Sequence, residues 1–216
     1  MKRQKHKQRR GQKPPGSTEA RILAAAEKVF AEKGLKGARI VEVAALAQVP
    51  PSQINYHYGS KENLYRTVIE NFYVSLQRRL FPIMMEEASP PAKLRKLISS
   101  GIDILAEKDH VARILLRESV DGGRYVNEML SKPYLKETFE MADRFVYSNL
   151  RDRERHPNDT VHLISSILGC TTMFFVAAST IRELWKKDVY SARMIEERKK
   201  EVIEFVFHGI GDRFKP

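Results

Sequence analysis

The chain is poor in groups that oxidise, chelate or attack. One cysteine, Cys170, stands among 216 residues, so no internal disulfide can form, and an unpaired thiol fits a reducing compartment such as the cytoplasm. There are six histidines, but no two lie three or four residues apart, so no metal-ligand pair is readable on one helical face. A Gly-rich phosphate loop is missing, as is a GxSxG elbow. Cys170 itself lies in an apolar stretch, where thiols are usually inert. These absences argue against an enzyme and leave no reason to expect a metal or a cofactor. The most apolar run, LISSILGCTTMFFVAAS at 163–179, is interrupted by Ser and Thr and is short for a membrane span, so it reads as a buried helix. MKRQKHKQRR has no apolar core behind its basic start and does not resemble a secretory signal.

Charge is present, and unevenly. The formal net charge is +11, with seven Lys or Arg and no acid in residues 1–16. Residues 17–80 carry nine bases against six acids, and the remainder 22 against 21. One end of the protein is therefore suited to a polyanion while the larger part is nearly neutral. Residues 1–16 lack hydrophobic periodicity and read as a basic arm.

Periodicity then predicts helices throughout. Ser17-Thr18 caps a first helix with Ile22, Leu23, Ala26, Val29 and Phe30 at helical spacing, ended by Gly34. A short second helix turns Ile40, Val43, Ala44 and Ala47 inward. Next comes VPPSQINYHYGSKENLY, residues 49–65, with little to bury. Proline has no backbone donor and a fixed φ, so Pro50-Pro51 fits a turn and a first helical position, and a third helix should start near Pro51. At 100° per residue, Ile54 and Tyr58 share one side, while Ser52 and Tyr56, flanked by Gln53 and Asn55, make a polar wall on the other. Amides on such a helix can pair with base edges in a major groove.

These residues resemble the amino-terminal domain of TetR-family transcriptional regulators. The resemblance runs over STEARILAAAEKVFAEKGLKGARIVEVAALAQVPPSQINYHYGSKENLYRTVIE, residues 17–70, and rests on Thr18, Ala25-Ala26, Phe30, Gly34, Val43-Ala44, Ala47, Val49, the run from Tyr56 to Glu62, and Leu64. It implies an all-α protein: a three-helix DNA-binding domain with a helix-turn-helix at 17–63, then a larger helical effector and dimerisation domain at 64–216, about nine helices in total. Carried over by position, Gln53, Asn55, Tyr56 and His57 fall in the recognition helix or its end, with Ser52 on the same wall. Lys61 and Arg39 fall where the family touches phosphate. Three departures stand out. Gln48 takes a turn position where the family prefers Gly, at a cost of about 1 kcal/mol for a left-handed backbone. Pro50 replaces a capping Ser, and Asn55 replaces a Tyr.

Beyond residue 63, Leu64, Val68, Phe72, Leu76 and Leu80 describe a long fourth helix. Further helices are expected at about 92–107, 109–120, 129–153, 159–186 and 191–208. The last two are apolar over more than one stripe and predict a two-fold interface built from Leu163, Ile167, Phe174, Ile181, Trp185, Ile195, Val202 and Val206. Arg117, Met141, Phe145, Thr171 and Phe175 are candidates to hold a small-molecule effector, because they join apolar surface to an occasional polar handle. The expected function is a ligand-responsive repressor that binds double-stranded DNA at a pseudo-palindrome as a homodimer, with no membrane partner. The alternative is a ligand-independent activator or architectural DNA-binding protein.

Overall fold

A computed structural model describes residues 16–108, 110–149 and 159–210. Within them lie eleven α-helices and no strand: α1 (Thr18–Gly37), α2 (Ile40–Ala47), α3 (Pro51–Tyr58), α4 (Lys61–Met85), α5 (Pro90–Glu107), α6 (Val111–Val120), α7 (Arg124–Leu130), α8 (Pro133–Asn149), α9 (Asp159–Val176), α10 (Ala178–Trp185) and α11 (Ala192–Ile210). The expected basic arm, 1–16, falls outside the described residues apart from Gly16.

Local chemistry sets the helix starts. The Ser17 hydroxyl accepts the Ala20 amide at 3.2 Å and begins α1, and the Ser60 hydroxyl accepts the Asn63 amide at 3.1 Å and begins α4. Each satisfies one amide that a helix start leaves without a partner. Gly34 breaks the regular part of α1 at φ 67°, a conformation open to glycine. Pro51 and Pro90 open α3 and α5, the position at which proline removes no helical hydrogen bond.

The helix count departs from the expected nine at two places. One long helix was expected over 129–153, but α7 closes at Leu130 and α8 opens on Pro133. Proline inside that stretch would delete a hydrogen bond and press on the preceding turn. A single helix was also expected over 159–186. Instead the chain leaves helical geometry at Ala177 (ψ 8°) and the two halves, α9 and α10, meet at a 60° bend. The expected buried helix is in part exposed, with Val161, Leu168 and Met173 at the surface. Among the described residues no single helix is long and apolar enough to cross a membrane.

Two apolar cores organise the molecule. The first joins Ile22, Ala26 and Phe30 of α1 to Val43 and Ala44 of α2, Ile54 of α3, and Leu64, Val68 and Ile69 of α4, and it continues into Ile114 of α6 and Met129 of α7. The second gathers Leu94, Ile98 and Ile102 of α5, Val146 of α8, Phe175 of α9, and Ile195, Val202 and Val206 of α11. The helix-turn-helix is therefore seated on the larger domain through a shared core. Polar ties cross the same seam: Arg117 Nη2 of α6 donates to the Glu32 carbonyl of α1 at 3.0 Å, and Lys108 lies 3.7 Å from Glu27.

Candidate DNA-binding surface

The third helix has one buried anchor. Ile54 is 1% exposed among the side chains of α1, α2 and α4, and burying it contributes roughly 2 to 3 kcal/mol. Around the rest of the helix, Ser52, Gln53 and Asn55 are exposed and Tyr56 is 83% exposed. A large aromatic left this open on a helix of eight residues belongs to neither apolar core of the described residues. Its ring stands edge-on to His57 at 5.2 Å, which holds it beside the amides.

His57 does not join that wall. Its Nδ1 lies 3.2 Å from Glu19 Oε1 of α1, with the side chain 19% exposed. Tyr58 likewise turns back, its hydroxyl donating to the Glu19 carbonyl at 3.4 Å. Burial, aided by the Glu19 charge, pushes the Tyr58 phenol up, so it remains a donor. His57, expected among the DNA contacts, is thus a brace between α3 and α1, because its position in the last turn faces the neighbouring helix.

Two cations flank the wall. Arg39 is exposed at the start of α2, its own amide accepted by Glu42 Oε2 at 3.3 Å. Lys61 Nζ donates to the Ala38 carbonyl at 3.1 Å, which brings it beside Arg39 from the start of α4. An ammonium has three donors, so one bond to Ala38 leaves others for an anion. Glu42 is held below the usual carboxylate range by its hydrogen bond from Lys33, 2.6 Å away, and by the neighbouring charges of Lys33 and Arg39. Its negative charge is thereby occupied within α1 and α2.

The turn between α2 and α3 behaves as its sequence implies. Gln48 is left-handed at φ 54°, ψ 48°. What the sequence did not disclose is its support: Arg21, 26 residues upstream, donates from Nε and Nη2 to the Ala47 carbonyl at 3.2 and 2.9 Å and from Nη2 to the Gln48 carbonyl at 2.9 Å. The only hint was a side chain standing where glycine is preferred.

The effector candidates are not brought together. Arg117 is exposed and bound to α1, so it ties the two domains. Phe175 is fully buried against Phe174 and Tyr190, with ring centroids at 5.4 and 5.8 Å. Thr171 is buried and its hydroxyl donates back to the Ile167 carbonyl at 2.9 Å. Met141 and Phe145 are half-buried on α8, and Phe145 packs on the second core. An open cleft of about 400 Å³ lies between α8 and α9, lined by Phe139, Glu140, Asp143, Val161, Ile164 and Ser165; none of the five candidates lines it.

The expected interface residues divide. Trp185 is exposed, and Leu163, Ile167, Phe174 and Ile181 are half-buried. Ile195, Val202 and Val206 face inward and complete the second core of their own chain, so they are corrected from interface to core. Their stripe on α11 is covered by α5 and α9 and has no area left for a partner. On α9, α10 and α11 the apolar surface that remains open is made by Val161, Leu168, Met173, Leu184, Trp185 and Phe205.

A short helix with one buried residue, a polar outer wall, flanking cations and a tight turn from a supporting helix is a helix-turn-helix. The profile of bacterial regulatory proteins of the tetR family matches residues 22–68, and that of the YcdC-like C-terminal region matches residues 72–213. The chain belongs to the TetR family of DNA-binding transcriptional regulators, a family without enzymatic activity. It is similar to the transcriptional repressor NicS of Pseudomonas putida, 32% identical over 111 residues; that alignment takes in 51% of this chain and spans only about half, 52%, of NicS. It is 24% identical to the transcriptional regulator RutR of Escherichia coli over 193 residues, covering 85% of this chain and 87% of RutR. The fold is shared with FadR from Bacillus subtilis, solved in complex with stearoyl-CoA, at a TM-score of 0.65, 19% identity, and coverage of 88% of this chain and 98% of that one.

Proposed function

We propose that this regulator is a repressor acting in the cytoplasm, which binds a pseudo-palindromic operator as a homodimer and is released by a small-molecule effector. Residues 17–63 form the DNA-reading unit in this account and residues 64–216 the effector and dimerisation unit. The observation that carries it is the outer wall of α3, where Ser52, Gln53, Asn55 and Tyr56 are all exposed while Ile54, with His57 and Tyr58 braced on Glu19, holds the helix down. Gln53 and Asn55 read base edges, the Tyr56 hydroxyl reaches a base or phosphate, and Arg39 and Lys61 bind backbone phosphates.

A homodimer is supported by the open apolar face of α9 and α10. Leu184 and Trp185 are 65% and 62% exposed, and apolar surface so concentrated favours association. Two-fold pairing there presents two α3 helices, and a spacing of about 34 Å matches one turn of DNA. An effector shifts DNA affinity only by binding one arrangement of the pair better than the other. The seam between the two domains, within the first core, where α6 meets α1 and α4, is where such a preference is passed on.

Titration of a selected operator duplex with the purified protein, with and without a panel of small metabolites, tests the reading. Release by at least one compound without loss of dimer supports it. A panel that never changes operator affinity removes the effector from the account, and a monomer at working concentration removes the two-fold geometry.

A further inference from the structure

We infer that Arg21 is a positioning residue for DNA recognition: from α1 it clamps the turn of the helix-turn-helix and so fixes how α3 is presented. The inference rests on α3 being the DNA reader. The turn is weak in its own right. Gln48 holds a left-handed backbone at φ 54°, which strains any residue with a Cβ. Pro50, the residue before α3, supplies no side-chain hydrogen bond to the helix start, and the Gln53 amide is left to the Pro50 carbonyl at 3.0 Å.

Arg21 offsets the strain at the turn from outside. Ala47 is the last residue of α2, so its carbonyl is among those a helix end leaves without a backbone partner and where negative potential gathers. A guanidinium with three donor contacts to the carbonyls of Ala47 and Gln48 satisfies both with charge-assisted bonds. The base of that side chain cannot drift, because its neighbour Ile22 is fully buried. The same first turns of α1 hold the far end of α3 through Glu19, bound by His57 and Tyr58. Both ends of the reading helix are therefore referred to one rigid element. A lysine would keep the charge and lose the planar fork that spans two carbonyls.

The test uses the full chain and four variants: Arg21→Ala, Arg21→Lys, Gln48→Gly and the double variant Arg21→Ala with Gln48→Gly. Affinity is measured for a selected operator and for a random duplex, and amide hydrogen exchange at Gln48 and Val49 is followed in the free protein. Arg21→Ala is expected to lower operator affinity about tenfold or more and random-duplex affinity by less than about threefold, since phosphate contacts elsewhere carry the latter. Arg21→Lys should fall between. Gln48→Gly should do little alone and recover at least about threefold in the double variant, because glycine removes the left-handed strain the clamp opposes. Exchange at the turn should quicken in Arg21→Ala and slow again in the double variant. Equal losses on both duplexes overturn the proposal in favour of a phosphate contact, and so does a double variant that recovers nothing. Unchanged exchange overturns the clamp, faster exchange with unchanged operator affinity overturns the positioning role, and operator affinity untouched by the control variants Gln53→Ala and Tyr56→Ala overturns the reading of α3 on which the proposal stands.

Discussion

Replacing Glu118 by Ala should destabilise the protein by about 3 to 5 kcal/mol, the loss of two buried hydrogen bonds to a charged acceptor less part of its desolvation cost. Glu118 is 4% exposed on α6. Its Oε1 accepts the Tyr125 amide of α7 at 2.6 Å, and its Oε2 accepts the Tyr65 hydroxyl of α4 at 3.2 Å. Each bond to a charged acceptor is worth roughly 1.5 to 3 kcal/mol. Alanine removes both and leaves a buried amide and hydroxyl without partners, while the relief from desolvating a carboxylate returns part of the loss. The Tyr65 ring is held independently, edge-on to Phe30 at 4.9 Å and to Tyr125 at 5.2 Å, so the helices should stay in place. Glu118→Gln keeps an acceptor for Tyr125 and can turn its amide hydrogens to the Tyr65 oxygen, and about 1 kcal/mol is expected. Tyr65→Phe should cost about 1 to 2 kcal/mol, and the double variant Glu118→Gln with Tyr65→Phe should cost less than the sum. Urea unfolding followed by circular dichroism at one fixed protein concentration measures all four. For a chain of this size the alanine variant should melt about 6 to 20 °C lower. A loss below 1 kcal/mol for Glu118→Ala, or strict additivity in the double variant, would show that the carboxylate does not join α4, α6 and α7 as described.

Ile54→Ala should lower stability by about 2 to 5 kcal/mol and weaken operator binding with it, since Ile54 is the fully buried side chain of α3; unchanged unfolding would place the anchor elsewhere. Tyr56→Ala and Gln53→Ala should each weaken operator binding by about 1 to 3 kcal/mol and relax selectivity, whereas Lys61→Ala should weaken every duplex alike and lower the salt slope by about one unit; titrations at three salt concentrations separate these patterns. Burial, with the Glu118 charge, pushes the Tyr73 phenol up to about 12 from 10. The folded state therefore keeps that proton where the unfolded chain releases it, so stability is whole below about pH 10 and lost as pH rises toward 12, by roughly 2 to 3 kcal/mol. Tyr73→Phe should flatten this alkaline loss in unfolding curves, and an unaltered slope would rule the group out.

The DNA-binding domain was legible because its signals are local. Pro50 and Pro51 can start a helix but not continue one, 100° rotation put Ile54 and Tyr56 on opposite sides, and a side chain at Gln48 where glycine is preferred announced a left-handed turn. Where the determinants are distant, the sequence was silent. Arg21 and the Ala47 carbonyl it clamps are 26 residues apart, and Arg117 reaches Glu32 across 85, separations that no spacing rule addresses. Periodicity placed Val202 and Val206 on one stripe of α11 but could not say whether α5 or a second copy covers it. The break at Ala177 carries neither proline nor glycine, so nothing marks it in the sequence, whereas Pro133 does mark the boundary of α8. Effector candidates fared worst, because apolar residues with a polar handle are equally what a core requires, as Phe175 and Thr171 turn out to be.

Selection of bound duplexes from a random pool tests the central claim most directly. The account predicts enrichment of two inverted half-sites whose centres lie about one or two helical turns apart, with Tyr56→Ala protein selecting the same spacing but a degenerate half-site. Enrichment of a single unpaired element, or a half-site untouched by changes at Gln53, Asn55 and Tyr56, would contradict it.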